Sequence, residues 1–338
     1  MSDTKAEATG VETAGFAPPA KRSFGSRVGA HFKKWWWAHL IVFVIVVLVV
    51  ALPVIYVGYP KIAQHDVNDS TLDITEMVIS DPTPDSFQLN QTQVIGSHSS
   101  YHPEIYAFDA AVSLAGAAAP FATVRVPGVK SKDGAEVEVS QTVDLSDADA
   151  FGDYAKAVML NEEVSLNIYG KPGLKEGSLP KTTVTYDKTV TMKGLNKLKG
   201  FDVTDFHILL KTENGRNMKG TVYIPNPSVM TITMGNLTLD LSVAGTPMGQ
   251  SYLDNLTLKP GNNTIPMTST VNQSAIISLL TSKNNPYKDG LVPFDITGNS
   301  SYYNGKELPY FTKALSANNL TVHLNVTKAL AEIGLTNL

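Results

Sequence analysis

Two histidines separated by three residues, His98 and His102, are the first candidates for metal chemistry in this sequence. Ligands four positions apart face the same side of a helix, but zinc needs three or four arranged ligands. The sequence places no carboxylate suitably beside the pair, and the surrounding segment has the composition of a loop. We therefore interpret both as surface histidines and expect no metal site.

Three acids, Asp144, Asp147 and Asp149, resemble the start of an acidic calcium-binding loop. Phe151, however, occupies a ligand position of such a loop, and Val158 stands where the bidentate glutamate belongs. We instead expect the acids to stabilise the N-terminus of a helix, where the helix dipole favours negative charge.

The sequence gives no other sign of catalysis or of cofactor binding. It contains no cysteine, no Gly-x-Ser-x-Gly elbow, no Walker loop and no dinucleotide-binding fingerprint. Catalysis by a pair of carboxylates stays an alternative, because acidic residues are numerous along the chain. The formal net charge of −4 makes nucleic acid an unsuitable partner. We expect a non-enzymatic protein without a cofactor.

Asparagine side chains offer a different chemistry, N-linked glycosylation in the secretory pathway. Nine Asn-x-Ser/Thr sequons occur where chance would give roughly three or four. They begin at Asn68, Asn90, Asn236, Asn255, Asn262, Asn272, Asn299, Asn319 and Asn325. All of them follow a hydrophobic segment near the N-terminus, so the pattern predicts that this later part of the chain is luminal.

That hydrophobic segment, residues 38–59, predicts a transmembrane helix in contact with the lipid bilayer. About 20 apolar residues are needed to span the hydrocarbon core, and a helix pairs every backbone polar group there. Trp35–Trp37 before it, with Tyr56 and Tyr59 at its end, are typical of interfacial aromatic belts. A cleaved signal peptide has an apolar region of only ~7–15 residues nearer the N-terminus, so we predict an uncleaved anchor.

The flanking charges set the orientation of this anchor. Five basic residues between positions 21 and 34 precede it, whereas Lys61 alone follows closely, before several aspartates. The positive-inside rule then leaves residues 1–34 in the cytosol, where their composition predicts a disordered tail. We predict a type II, single-pass membrane glycoprotein with its anchor at residues 35–59.

Beyond the anchor the dominant hydrophobic period is two, which predicts strands with one buried and one exposed face. The alternation is found at residues 137–143, 184–192, 206–210, 237–243 and 320–326. The apolar residues fall on even positions before Gly235 and on odd positions after it, which predicts a β-bulge there.

Two segments after the anchor have helical periodicity. In the first, DADAFGDYAKAVML, Ser146 is placed to cap the helix, with Asp149 three residues further on. The second is SAIISLLTSK at 274–283, and the C-terminal KALAEIGL is a third candidate.

Internal similarity predicts a tandem duplication. Val112–Gly116 matches Leu241–Gly245 at an offset of 129, and VSLNIYG from Val164 matches VPFDITG from Val292 at an offset of 128. Strand patterns, a helix and glycines recur in one order. We therefore predict a mainly β fold of two tandem β-sandwich units, each with one short helix, at residues 60–200 and 201–338.

Motifs in the second unit resemble a known domain. Asn226-Pro227-Ser228, Gly235, the hairpin from Gly245 to Gly249 and the turn Leu258-Lys259-Pro260-Gly261 are similar to the late-embryogenesis-abundant type-2 (water-stress and hypersensitive-response) domain. The resemblance implies a β-sandwich and no catalytic residues. Considered alone, Asn226 and its neighbouring prolines are explained by a turn at the end of an edge strand.

The whole chain, through its anchor, its FGDYAKAVM helix and KTVTMKGLNKLKGF, resembles a fungal family of single-pass vacuolar-type membrane proteins with an uncharacterised luminal domain. One yeast relative helps to terminate autophagy, which implies an unknown luminal protein partner at the vacuolar membrane. A plasma-membrane location with an extracellular domain is the alternative. A second hypothesis is binding or transfer of a lipid or another apolar ligand, in a groove lined by the alanine-rich residues 110–120.

Overall fold

The computed structural model describes residues 24–97, 99–282, 286–287 and 289–335. The chain divides into two compact units, Met1–Gly58 and Tyr59–Leu338. In the first unit, helix α1 (Phe24–Pro53) continues as a π-helical turn at Val54–Gly58. Pro53 lacks the amide hydrogen that a regular helix uses, which accounts for the change of helix type at this point.

The helical stretch Lys33–Asp69 is long enough, and over one 18-residue window apolar enough, to cross a membrane. The large apolar side chains of α1 that the structure describes are exposed. A candidate membrane span is therefore present where the sequence predicts one. Of the predicted tail, residues 1–23 lie outside the described residues, and α1 begins at Phe24, before the predicted start of the anchor.

The second unit begins with helix α2 (Tyr59–Asp69) and is otherwise mainly β, as predicted. Its strands are β1 (Thr71–Ser80), β2 (Ser86–Gly96), β3 (Glu104–Ile105), β4 (Phe108–Leu114), β5 (Ala122–Val126), β6 (Val129–Lys130), β7 (Ala135–Asp144), β8 (Glu163–Gly170), β9 (Gly173–Lys175), β10 (Thr182–Thr183), β11 (Tyr186–Lys193), β12 (Asp202–Glu213), β13 (Arg216–Asn226), β14 (Met230–Val243), β15 (Thr246–Leu258), β16 (Gly261–Val271), β17 (Leu291–Tyr303), β18 (Lys306–Glu307) and β19 (Asn319–Asn325). Its further helices are α3 (Ala148–Leu160), α4 (Gln273–Thr281), α5 (Pro309–Ser316) and α6 (Val326–Glu332).

These strands form three sheets. The largest has the order β12-β13-β16-β15-β14-β1-β2-β7, with β17 pairing β14 and carrying β18 and β19. Two four-stranded sheets have the orders β11-β8-β4-β5 and β10-β9-β3-β6. The pairs are antiparallel except for β1 and β14, which run parallel with Met77 opposite Met230. That pair joins strands from the two halves of the chain into one sheet.

The strand pairing of the first half recurs in the second. The pairs β1·β2, β2·β7, β4·β5, β4·β8 and β8·β11 correspond, in the same chain order, to β12·β13, β13·β16, β14·β15, β14·β17 and β17·β19. Helix α3 follows β7 just as α4 follows β16. The recurrence supports the hypothesis of a duplication, while the boundaries at 60–200 and 201–338 stay a prediction.

One large apolar core extends through both halves. It includes Met77 and Ile79 of β1, Met230 and Ile232 of β14, and Phe151 of α3. Aromatic side chains stack around Phe151, whose ring lies 4.9 Å from that of Tyr310 on α5, between ring centroids. The first half and the second half therefore share buried contacts and not only a chain connection.

Two local predictions are confirmed by the backbone. At Gly235 the pairing of β14 with β15 shifts register, as a bulge requires. The residue has φ +74°, and a Cβ there would lie 2.3 Å from the carbonyl oxygen of Tyr302, so only glycine fits. Helices α3 and α4 also lie within two residues of their predicted positions.

Three other predictions need correction. The cap of α3 is Asp147 and not Ser146, because the Asp147 carboxylate accepts from the amides of residues 149 and 150, while the Ser146 hydroxyl donates to the Pro120 carbonyl. Leu210 is 80% exposed and not buried, because the pairing of β12 loses its register after Ile208. Helices α2 and α5 were not predicted at all.

Candidate functional site

The residues that could hold a metal do not come together. Asp147 caps α3, the Asp149 carboxylate lies 2.7 Å from the Lys313 ammonium, and Asp144 is exposed at the end of β7. His102 is exposed, and His98 lies outside the described residues. Among the described residues no group of three or more His, Asp or Glu side chains is arranged to bind a metal ion.

All nine sequon asparagines are exposed in the folded second unit. Several of them support the fold through their side-chain oxygen: Asn272 and Asn325 cap α4 and α6, and Asn236 accepts from the amide of Asn255 at 2.8 Å. A glycan is attached through the side-chain nitrogen, so these contacts are compatible with modification. Asn299 differs, because its nitrogen donates to Asp240 at 2.8 Å.

The sequons are unevenly distributed over the second unit. Four of them lie on the outer face of three neighbouring strands: Asn236 on β14, Asn299 on β17, and Asn319 and Asn325 on β19. Residues 91–235 contain six asparagines and no sequon. One large part of the unit therefore offers no acceptor for an N-linked glycan.

The sequon-free part includes a four-stranded sheet, β11-β8-β4-β5, whose outer face is solvent-accessible. Phe108, Ala110, Ile168 and Val190 fill its inner face. We call the outward residues of this sheet the open face; they are Asp109, Ala111, Ser113, Thr123, Arg125, Ser165, Asn167, Tyr169, Asp187, Thr189, Thr191 and Lys193. They are mostly small and polar.

Cross-strand hydrogen bonds fix the side chains of the open face. Asn167 donates to Asp187 at 2.8 Å, and Arg125 donates to Asp109 at 3.0 Å. Tyr169 stands opposite Ala111 in β4 and is 41% exposed, because the small alanine leaves its ring uncovered. The open face therefore combines one exposed tyrosine with small polar side chains that are hydrogen-bonded across the strands.

The free edge of this sheet is closed to strand addition at β5. The Gln141 side chain accepts from the backbone amide of Arg125 at 3.2 Å and donates to its carbonyl at 3.1 Å. These bonds occupy the groups that an added strand would use. The two contacts therefore block strand addition at Arg125 of β5.

The interior contains small apolar cavities of about 30, 40 and 20 Å³. The first lies in the second half, within the largest sheet, and is lined by Phe206, Phe294 and other apolar side chains, with the buried Ser251 beside them. The Ser251 hydroxyl is hydrogen-bonded to Ser269 at 2.7 Å. Each of these three cavities is about the size of one water molecule.

Titratable groups inside the unit serve packing. Burial raises the pKa of Tyr186 to about 12 and raises the pKa of Tyr154 still further. The Tyr310 hydroxyl donates to the carbonyl of Thr83 at 2.8 Å, and burial raises its pKa also. These phenols stay protonated and neutral, so they do not act as bases at physiological pH.

One exposed cluster bridges two elements of the second half. His207 on β12 contacts Glu332 of α6 at 2.9 Å through Nδ1 and Asp205 at 3.2 Å through Nε2. The hydrogen bond that His207 donates to Glu332 is the largest cause of its raised pKa, with the nearby Asp205 charge next. The cluster ties the C-terminal helix to the edge strand.

The Asn226-Pro227-Ser228 motif forms a buried turn between β13 and β14. The Asn226 side chain accepts from the amide and hydroxyl of Ser228 and donates to the carbonyl of Met230 at 2.8 Å. Asn226 and Ser228 are both buried, with their polar groups bonded to the turn itself. The predicted turn is confirmed, whereas β13 is not an edge strand, because it pairs with both β12 and β16.

Comparison with known proteins gives one family match. The family described as "Protein of unknown function (DUF3712)" matches residues 119–241, which run from before β5 into β14. This match crosses the boundary predicted at residue 200. No curated protein matches the chain.

Solved structures show only distant likenesses. The periplasmic chaperone SfaE is 12% identical, with 75% of this chain and all of that chain covered at a TM-score of 0.18. A DUF4785 family protein from Legionella pneumophila is 11% identical, with 77% of this chain and 55% of that chain covered at a TM-score of 0.21. A cross-linked bacterial adhesin from Mobiluncus mulieris is 10% identical, with 75% of this chain and 97% of that chain covered at a TM-score of 0.19. Scores this low support no conclusion about function.

Proposed function

We propose that this protein is a non-enzymatic type II membrane glycoprotein that binds a luminal protein partner through the open face. The observation that carries the proposal is the distribution of the sequons. Nine exposed acceptors follow the hydrophobic helix, whereas residues 91–235, which include the open face, have none. Glycans would shield the outer face of β14, β17 and β19 and leave the open face accessible.

The proposed compartment is the vacuolar membrane of a fungal cell, with residues 60–338 in the lumen and a role in regulating autophagy. This part of the proposal is supported by the resemblance to the fungal family and to the late-embryogenesis-abundant type-2 domain. A plasma-membrane location with an extracellular domain is the alternative.

Site-specific photocrosslinking in intact cells tests the partner site. A photoreactive amino acid replaces Tyr169 or Thr189 on the open face, and the matched control replaces His323, which is exposed on β19 between the sequons of Asn319 and Asn325 and belongs to neither. We expect a discrete crosslinked luminal protein from the first two positions and none from the control. Crosslinks from His323 alone, or to cytosolic proteins alone, would refute the partner site or the orientation.

A second candidate function is binding of a lipid or another apolar ligand. The observation behind it is the apolar lining of the 30 Å³ cavity, which a ligand would have to enlarge by moving Val203 and Phe206, two half-buried residues of the edge strand. Mass spectrometry of lipids that co-purify with the full chain tests it. Stoichiometric lipid would favour this function over partner binding, and its absence would exclude a tightly bound lipid.

A further inference from the structure

Helix α2 is part of the second unit and is packed along its length. Ala63 and Val67, four positions apart on one face of α2, are buried against Leu174 of β9 and Val184. Tyr59 is partly buried beside the same cluster. The apolar spacing of this helix therefore serves docking onto residues 172–186.

Polar contacts hold the rest of α2. The Gln64 side chain accepts from the Thr185 amide at 2.7 Å and donates to the Thr185 carbonyl at 2.8 Å. At the C-terminal end, the Lys188 ammonium donates to the carbonyls of Asn68, at 2.7 Å, and Ser70. A cation is favourable there because of the helix dipole. These contacts leave no flexible linker between Tyr59 and β1.

The start of α2 coincides with the end of the apolar segment. Tyr59 is the last residue of that segment, and Pro60 and Lys61 follow it. The Tyr59 hydroxyl accepts from the backbone amide of Glu176 at 3.0 Å. Residue 176 begins the β9–β10 loop, Glu176–Lys181, so this loop lies within one tyrosine side chain of the place where the chain leaves the bilayer.

We propose that the β9–β10 loop and its flanking lysines form a membrane-contact surface that binds phospholipid headgroups. The inference rests on the anchor of the proposed function. It needs no particular angle between the spanning helix and the second unit, because the covalent chain and the Tyr59–Glu176 contact fix the proximity.

The composition of the surface fits this partner. Lys171 and Lys175 precede the loop, Lys181 ends it, Lys61 lies near the start of α2, and Leu179 and Pro180 are the apolar residues of the loop. The Lys181 ammonium lies 4.3 Å from the centroid of the Tyr106 ring, which positions it beside β3. One carboxylate oxygen of Glu176 is buried and has no protein hydrogen-bond partner, so this acid is turned away from solvent. The ammonium groups of these lysines complement the negative charge of headgroup phosphates.

Single-cysteine labelling of the full chain in lipid nanodiscs tests the surface, since the natural sequence contains no cysteine. A nitroxide on Ser178→Cys reports the loop. The matched control is Lys306→Cys on β18, next to Tyr303, whose hydroxyl contacts Asp81 at the far end of β1. We expect collisional relaxation from a headgroup-attached nickel lipid at residue 178 and little at residue 306. In discs with phosphatidylserine, Lys175→Glu with Lys181→Glu should reduce the effect at residue 178.

The outcomes separate this inference from the proposed function. Equal, weak relaxation at both positions, in chains that resist carbonate extraction from membranes, would overturn the membrane-contact surface and leave the anchor intact. Chains released by carbonate would overturn the anchor and this inference with it. Strong relaxation at residue 178 that the double charge reversal does not reduce would refute the role of the lysines.

Discussion

Replacing Phe151 by alanine tests whether the two halves of the second unit unfold together. Phe151 on α3 is 2% exposed, and its ring centroid lies 5.1 Å from Phe87, 5.3 Å from Phe121 and 4.9 Å from Tyr310. Phe87 and Phe121 belong to the first half, whereas Tyr310 lies on α5 in the second. The ring is therefore at a contact between the halves.

The expected loss of stability is large. Burial of a phenylalanine side chain and the cavity left on its removal together correspond to about 3–5 kcal/mol in protein cores. A loss of about 4 kcal/mol raises the unfolded fraction roughly a thousandfold at 25 °C. Since the polar OH of Tyr310 keeps its bond to Thr83, we expect most of the loss to come from packing.

Hydrogen exchange measured by mass spectrometry on the full chain resolves the effect by segment. The matched control is Phe294→Ala on β17, which is 3% exposed and lines the cavity of the second half. If the shared core makes the unit cooperative, each variant should accelerate exchange in both β8 and β17. Should each variant affect its own half only, the halves unfold independently, and the inference drawn from the shared core is wrong.

Three further predictions concern single residues. His207→Ala should lower the melting temperature at pH 5 and leave it unchanged at pH 9. The contacts with Glu332 and Asp205 raise the pKa of His207 in the folded state above its ordinary value of 6.5. The stabilisation from these contacts is therefore complete below pH 6.5 and is lost as the pH rises through the raised pKa. Equal effects at both pH values would contradict this assignment. Gly235→Ala should cost about 1–3 kcal/mol in denaturant unfolding, because the positive φ and the Tyr302 carbonyl both oppose a Cβ; a loss under about 0.5 kcal/mol would show that the bulge relaxes freely. Asn226→Ala should cost about 1–3 kcal/mol, because buried groups of Ser228 and Met230 lose their partners, and an unchanged denaturation midpoint would show that water replaces the amide.

The sequence predicts those parts of the fold that local rules control. The alternation from Leu237 to Val243 fixes which side of β14 is buried, and the parity flip at Gly235 marks the bulge. Helix α5 was missed although Pro309 at its start and its buried Tyr310, Phe311, Ala314 and Leu315 follow helical spacing. Its eight residues come directly after a strand, so the helical period is too short to stand out.

Long-range features could not be predicted in the same way. The parallel pairing of Met77 with Met230 joins residues about 150 positions apart, and no local period encodes such a partner. The docking of α2 was overlooked for another reason. Tyr59 also ends the apolar segment and is expected in an aromatic belt. For this reason the sequence did not indicate that Ala63 and Val67, which follow it, are buried against the second unit.

The candidate sites also differ in whether a local pattern in the sequence indicates them. Sequons are visible in the sequence because the acceptor motif is local, and the structure adds that all nine are exposed. The open face was not visible, since Asp109, Tyr169 and Asp187 belong to three strands that only the sheet brings together. Their types are ordinary for exposed strand positions, so nothing in the sequence distinguishes them.

Strand β11 connects the two surfaces proposed here. Asp187 and Thr189 face outward on the open face, and Lys188 between them donates to the C-terminal carbonyls of α2. Burial lowers the pKa of Lys188, and the nearby Asp69 charge opposes that shift. Because neighbouring residues of a strand point to opposite faces, one strand contributes to a partner surface on one side and holds the membrane-proximal helix on the other. A partner that displaces β11 would therefore alter the support of α2 directly, without any change in the apolar core.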